Sequence, residues 1–206
     1  MRSLFENWRG FLEENRQGTI LAIFGPSGSG KSRQKNIFKN NGWGEIVSFV
    51  TRPPRGEEDA EYEFATEEEW KKEFDEGNLV NTNEYGGNFY GTKISDLRAA
   101  AGAILVTDIT NVDGSRGDND LNNVAAREGK RLILLFSAPP ADKELIRRHK
   151  ERLDSGEYSG PEEFEMRVQK AREESDTMQT KVNGLSAEVH TIYSDEDAEK
   201  SARSLT

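Results

Sequence analysis

Residues 23–32, "IFGPSGSGKS", decide the reading of this chain. Gly25, Gly30, Lys31 and Ser32 fit the pattern G-x-x-x-x-G-K-[ST], which carries mechanical meaning where a strand runs into a helix through a tight loop. Both flanks fit. "TILAIF", residues 19–24, is an apolar, β-branched run of strand length. "KSRQKNIFKN", residues 31–40, reads as a helix that stops at Asn40-Asn41-Gly42, residues that tolerate left-handed backbone. In such a loop Gly25, Pro26, Ser27, Gly28, Ser29 and Gly30 wrap the phosphates, all but Pro26 able to turn a backbone N–H inward, and the helix N-terminus adds positive potential. The Lys31 ammonium reaches β- and γ-phosphates, and the Ser32 hydroxyl supplies an oxygen for Mg²⁺. A nucleoside triphosphate site is expected.

Outward from the loop, strand-like and helix-like segments alternate. "EIVSFV" (45–50), "AILVTDI" (103–109), "RLILLF" (131–136) and "EVHTIY" (188–193) predict strands. Helices are expected near 94–101 and 117–128, over a long charged stretch at 141–180 broken by "DSGEYSGP" (154–161), and in an acidic segment at the C-terminus. This order implies an α/β fold whose parallel sheet is flanked by helices, with ligands at the carboxyl ends of the strands. The alternation lapses between Thr51 and Gly91, where "TRPPRGEEDAEYEF", a capping box from Thr66 to Glu69 and the aromatic turn "EYGGNFYGT" read as an insert. Ahead of the loop, Leu4, Trp8, Phe11 and Leu12 recur at helical spacing.

Composition narrows the partners. The 206 residues carry 28 Lys+Arg against 38 Asp+Glu, a formal net charge of -10, so long-range repulsion opposes broad contact with nucleic acid or anionic membrane. A phosphate ligand must be held by local groups. There is no cysteine, and His149 and His190 lack ligand spacing, which leaves no thiolate or structural zinc site. "MRSLFENWRGFLEENRQG" has charges throughout, unlike a signal peptide, and no segment approaches the roughly 18 apolar residues of a membrane span. A cytoplasmic protein, monomer or homodimer, is expected.

A phosphate loop does not identify the acceptor of a phosphoryl group; transfer also needs positioning groups and cations for the moving charge. "VTRPPRGEEDAEYEF" followed by "GGNFYGT" resembles the acceptor-binding segment of guanylate kinases, with its T-R-x-P-R-x-G-E stretch and Y-G-[ST] turn. With "GPSGSGKS" before it and "SAPPADKELIRRHKER" and "EMRVQKAREE" after it, the resemblance covers about residues 19–194. It implies a P-loop NTPase-type core (1–48, 92–147 and 168–206), an NMP-binding insert (49–91) and a helical lid (148–167). It also implies that Ser48, Arg52, Arg55, Tyr62 and Tyr90 hold the acceptor phosphate, a set of guanidinium forks and hydroxyls suited to a monoester. Arg148 and Arg152, four apart on one helix face, and Arg167, expected to open the next helix, join Lys31 as catalytic cations over ATP and Mg²⁺. Asp108 is expected to order the metal's water shell.

The resemblance weakens where the family reads guanine. Its Glu before the Y-G-[ST] turn falls on Asn81 here, and its D-x-D pair falls on Asp108 and Thr110, with one extra residue before Gly114 leaving that register open. Asn81, Thr92 and Thr110 are therefore the candidate base-binding residues. A carboxylate accepts from guanine N1–H and N2–H₂ together, whereas an amide offers one donor and one acceptor. A mismatch of about 1–3 kcal/mol shifts preference tenfold or more. GMP and dGMP lead the acceptors, and the alternatives are a modified nucleotide or phosphorylated sugar. A noncatalytic phosphopeptide-binding domain of the same family is the reading from another class. Ser194 is a weak candidate for contact with the donor nucleotide.

Overall fold

Strand β1 (Thr19–Phe24) is buried at every position, and its alternation divides it between two cores. Ile20, Ala22 and Phe24 join Leu105, Leu134 and Phe136 on one face; Leu21 and Ile23 join Phe38, Ile104 and Leu135 on the other. A strand apolar on both faces belongs in the middle of a helix-covered sheet. The computed structural model, which describes residues 16, 18–54, 62–156, 158–185 and 187–205, places β1 there. Its sheet has the order β2 (Gly44–Glu45), β7 (Ala103–Val106), β1, β8 (Arg131–Ser137), β9 (Val189–Ile192), parallel throughout. Each fully buried Ile, Leu or Phe contributes about 1.5–3 kcal/mol. Helix α1 (Lys31–Asn40) follows β1 directly, so the glycine loop sits at the carboxyl edge of the central strand. Helix α7 (Asp195–Ser204) packs the fully buried Ala198 and Ala202 into the same core as Phe38.

A second sheet has the order β4 (Tyr62–Phe64), β3 (Ser48–Val50), β6 (Asn88–Lys93), β5 (Leu79–Tyr85). Register settles what it displays. Ser48 pairs with Tyr62 and Val50 with Tyr90, so Ser48, Tyr62 and Tyr90 share one face. Phe49 and Phe89 share the other, packed on Trp70 of α2 (Glu67–Asp75), whose Thr66–Glu69 capping box is formed. In β5 the ladder slips: Val80 pairs with Thr92 but Asn83 with Tyr90, and Asn81, inside the bulge, has φ 56°. The bulge turns Asn83 and Tyr85 onto the Tyr90 face, where a strict two-residue period would have sent them to the opposite one.

The remaining elements are α3 (Ile94–Ala99), α4 (Leu121–Arg127), α5 (Asp142–Asp154) and α6 (Pro161–Val182). Three expectations need correction. "EIVSFV" is not one strand: Gly44–Glu45 pairs with β7 in the core sheet and Ser48–Val50 with β6 in the second, because the chain changes sheets at Ile46-Val47. The helix expected at 117–128 is a 3₁₀ turn, Gly117–Asn119, followed by α4, which starts only where Asp120 caps it by accepting from Asn122 N–H. Arg167 lies in the second turn of α6, not at its opening, because α6 begins at Pro161. The expected N-terminal helix around Leu4–Leu12, and Arg55, lie outside the described residues. Among the described residues no helix is long and apolar enough to cross a membrane.

Candidate functional site

The glycine loop, the second sheet and helices α5 and α6 enclose one cleft of about 1030 Å³. Gly25, Ser27, Gly28, Gly30, Lys31 and Ser32 line its floor, Ser48, Tyr62, Asn81 and Tyr90 one wall, and Arg148, Arg152 and Arg167 the roof, with Asp108 near the end of β7. Segments as far apart in the chain as Ser27 and Glu174 thus meet, which is what transfer between two bound substrates requires.

The loop is built for close approach. Gly28 has φ +76° and lies under α5, so that a Cβ there would meet Leu145 at 2.8 Å and the His149 ring at 2.9 Å. Gly25 has φ +155°, and a Cβ there would fall 2.4 Å from the Ser137 carbonyl oxygen. Lys31 donates to the carbonyls of Gly25 (2.7 Å) and Pro26 (3.0 Å). Burial pushes its ammonium down to about 8, with Arg152 adding to the shift and Glu174 and Asp108 opposing it. Ser29 is buried and its hydroxyl has no hydrogen-bond partner.

The lid arginines are held differently from one another. Arg148 donates to the carbonyls of Gly28 (2.9 Å) and Ser29 (3.1 Å) and to Glu144 (2.8 Å), bracing α5 on the loop. Hydrogen bonds from Arg147 and then Arg148 hold Glu144 down to about 2. Arg167 pairs with Glu163 at 2.9 Å and lies 4.8 Å over the Tyr85 ring.

Three of the residues expected at the acceptor site, Arg52, Thr92 and Thr110, do not line the cleft. Arg52 is buried with its guanidinium 4.3 Å over the Tyr62 ring and donates to the Pro53 carbonyl, so it backs the cleft wall rather than forming it. Thr92 is buried behind Asn81 and accepts from its amide at 3.3 Å. Thr110 is off the cleft wall, donating through backbone and hydroxyl to Asp108 Oδ1 (2.9 Å each) as part of a 3₁₀ cap. Asn81 itself faces the cleft, but its amide donates to the Val106 carbonyl (2.9 Å) and Thr92, and its oxygen accepts from the Thr107 hydroxyl (2.6 Å). Those bonds tie β5 to the end of β7. Ser194 caps α7 by accepting from Asp197 N–H.

Sequence reasoning missed several cleft residues, among them Glu174, Lys35, Glu45 and Asn83. Glu174 of α6 accepts from the Ser27 backbone N–H at 3.0 Å, placing a carboxylate on a loop donor. Lys35 and Glu45 form a 2.5 Å ion pair in the floor, with side chains 7% and 13% exposed. Burial raises the Glu45 carboxyl, but hydrogen bonds from Lys35 and Lys39 outweigh it and leave the group below its usual range. Asn83 accepts from Asn111 at 3.3 Å. Charged residues usually face water, and Asn83 reaches the cleft only through the β5 bulge, so none of these carried a signal in the sequence.

The fit to Mg²⁺ rests on the donor set. The Ser32 hydroxyl and the Asp108 carboxylate line the same cleft, and no group of three or more His, Cys, Asp or Glu is gathered among the described residues. One or two hard oxygens, completed by phosphates and water, is how proteins hold this ion.

The sequence profile described as guanylate kinase matches residues 17–184. The chain belongs to the guanylate kinase family. It is 31% identical over 171 residues to the guanylate kinase of Malacoplasma penetrans, covering 79% of this chain and 81% of that one. It is 31% identical over 173 residues to the enzyme of Lactobacillus delbrueckii subsp. bulgaricus, covering 79% and 78%. The crystal structure of guanylate kinase from Anaplasma phagocytophilum shares the fold, with a TM-score of 0.57, 23% identity and coverage of 92% of this chain and 85% of that one. As a member of the guanylate kinase family the chain is a nucleoside monophosphate kinase, a phosphotransferase. The Asn81 amide is engaged with its own scaffold.

Proposed function

We propose that this protein transfers the γ-phosphoryl group of ATP to a nucleoside monophosphate, with GMP or dGMP as the first candidate acceptor and a base pocket less strict than a carboxylate-lined one. The observation that carries this is the single cleft joining the glycine loop to Ser48, Tyr62 and Tyr90 under the lid arginines. Residues 49–91 act as the acceptor-binding insert and 148–167 as the lid on a core of 1–48, 92–147 and 168–206, and the setting is cytoplasmic nucleotide metabolism. Family names support guanine; the engagement of the Asn81 amide within the protein supports relaxed discrimination.

In the reaction an oxygen of the acceptor phosphate attacks the γ-phosphorus in line, and the bond to the β-bridging oxygen breaks to release ADP and a nucleoside diphosphate. No general base is needed, because the acceptor phosphate is already ionised near neutral pH. The loop N–H groups and Lys31 cradle the β- and γ-phosphates. Arg152 and Arg167 stabilise the charge that develops, and Arg148 fixes the lid on the loop. Ser48, Tyr62 and Tyr90, with Arg52 behind Tyr62 and Arg55 from the same segment, orient the acceptor phosphate. Ser32 and Asp108 would hold Mg²⁺, which supplies charge neutralisation across the triphosphate. Closure over the acceptor excludes water that would otherwise take the phosphoryl group.

Incubating the protein with ATP, Mg²⁺ and a panel of ribo- and deoxynucleoside monophosphates tests the reading. Formation of GDP or dGDP, accompanied by measurable turnover of at least one other base, is expected. Absence of transfer to every nucleotide overturns it.

A further inference from the structure

The β5–β6 turn and the lid helix already touch. Tyr85, 41% exposed at the tip of β5, faces the cleft because of the bulge at Asn81. Over its ring lie the Arg167 guanidinium, 4.8 Å from the centroid, and the Lys170 ammonium, 5.1 Å from it. Arg167 is also 5.7 Å from the Tyr158 ring. The Tyr158 hydroxyl is 2.7 Å from His149 Nδ1, and the His149 ring packs on Gly28 of the phosphate loop. A continuous set of contacts therefore runs from the phosphate loop through the lid to the hairpin that carries Tyr90.

Cations over an aromatic face are attracted by its quadrupole, and the attraction strengthens as water leaves. Arg167 keeps Nε and Nη2 on Glu163 while its guanidinium carbon lies over the Tyr85 ring, so the ring restricts where the guanidinium points without consuming its hydrogen-bond donors. We propose that Tyr85 is the positioning residue for Arg167. It couples the acceptor-binding hairpin to the lid, so that a hairpin closed on its nucleotide aims this arginine at the transferring phosphoryl group. The inference rests on the proposed phosphoryl transfer. Tyr85 acts through Arg167.

The test measures ATP-to-GMP transfer for the wild-type protein and for Tyr85→Phe, Tyr85→Leu and Tyr85→Ala, each also in an Arg167→Ala background. Melting curves confirm folding, and equilibrium binding of a nonhydrolysable ATP analogue is measured without acceptor. Tyr85→Phe keeps the aromatic face and should retain kcat. Tyr85→Leu keeps apolar bulk without it and should lose about 3- to 30-fold in kcat, as should Tyr85→Ala, with analogue affinity unchanged. In the Arg167→Ala background these losses should disappear. Leu performing as well as Tyr, Phe performing as poorly as Ala, or an undiminished loss without Arg167 each overturns the inference. Wild-type protein without turnover would instead sink the reading of the reaction, and this inference with it.

Discussion

At the residue scale, two side chains carry the account. Burial pushes the Lys31 ammonium down to about 8, because loss of water disfavours its charge. A lysine with a lowered value is charged below it and neutral above it, so the phosphate grip is complete at pH 7 and is lost as the pH rises through 8. ATP affinity measured without acceptor should be level from pH 6.5 to 7 and then fall, approaching tenfold per unit above 8; an affinity level to pH 9.5 would contradict this. Asn81 reads from sequence as a base contact, since the family places Glu there. The structure gives it three internal hydrogen bonds and a left-handed backbone that Asn and Asp both tolerate. Asn81→Asp keeps the shape but removes both donors and sets a carboxylate against the Val106 carbonyl. It should cost about 2 kcal/mol and lower Tm by roughly 4–8 °C in a thermal melt. The sequence could name the position but not its partners, because Val106 and Thr107 reach it only through the fold.

At the element scale, the floor beneath the loop depends on the pairing of Lys35 in α1 with Glu45 in β2. Removing Glu45 takes the shared carboxylate from Lys35 and Lys39 together and leaves the Lys35 charge buried without this ion pair. Glu45→Ala should cost roughly 3 kcal/mol in denaturant unfolding, while the double change to methionine at 35 and 45 should lie much closer to wild type. Equal losses for the single and double variants would contradict it. The core strands around "TILAIF", "AILVTDI" and "RLILLF" were legible because apolar residues on both faces have one stable home, the middle of a covered sheet. "EIVSFV" misled because an apolar run shows no mark where the chain leaves one sheet for another. The β5 bulge was hidden for a similar reason: pairing register belongs to two strands, and Asn81 and Gly91 are ten residues apart.

At the scale of the whole molecule, a chain of net charge -10 reverses its balance around one cleft, where eight Lys and Arg side chains meet six Asp and Glu. The negative exterior discourages extended polyanions, while the local excess of cations in the cleft accepts a compact one. Glu174, resting on Ser27 N–H, must yield when phosphate binds there. The glycine loop marked the donor side in the sequence; the opposing wall became visible only when register brought Ser48, Tyr62 and Tyr90 to one face. The most direct measurement follows γ-labelled ATP with GMP and Mg²⁺, comparing wild-type protein with Lys31→Ala. Direct transfer across this cleft predicts label in GDP, little in inorganic phosphate, and loss of both with Lys31→Ala. Label appearing only in inorganic phosphate, or persisting in GDP without Lys31, would contradict it.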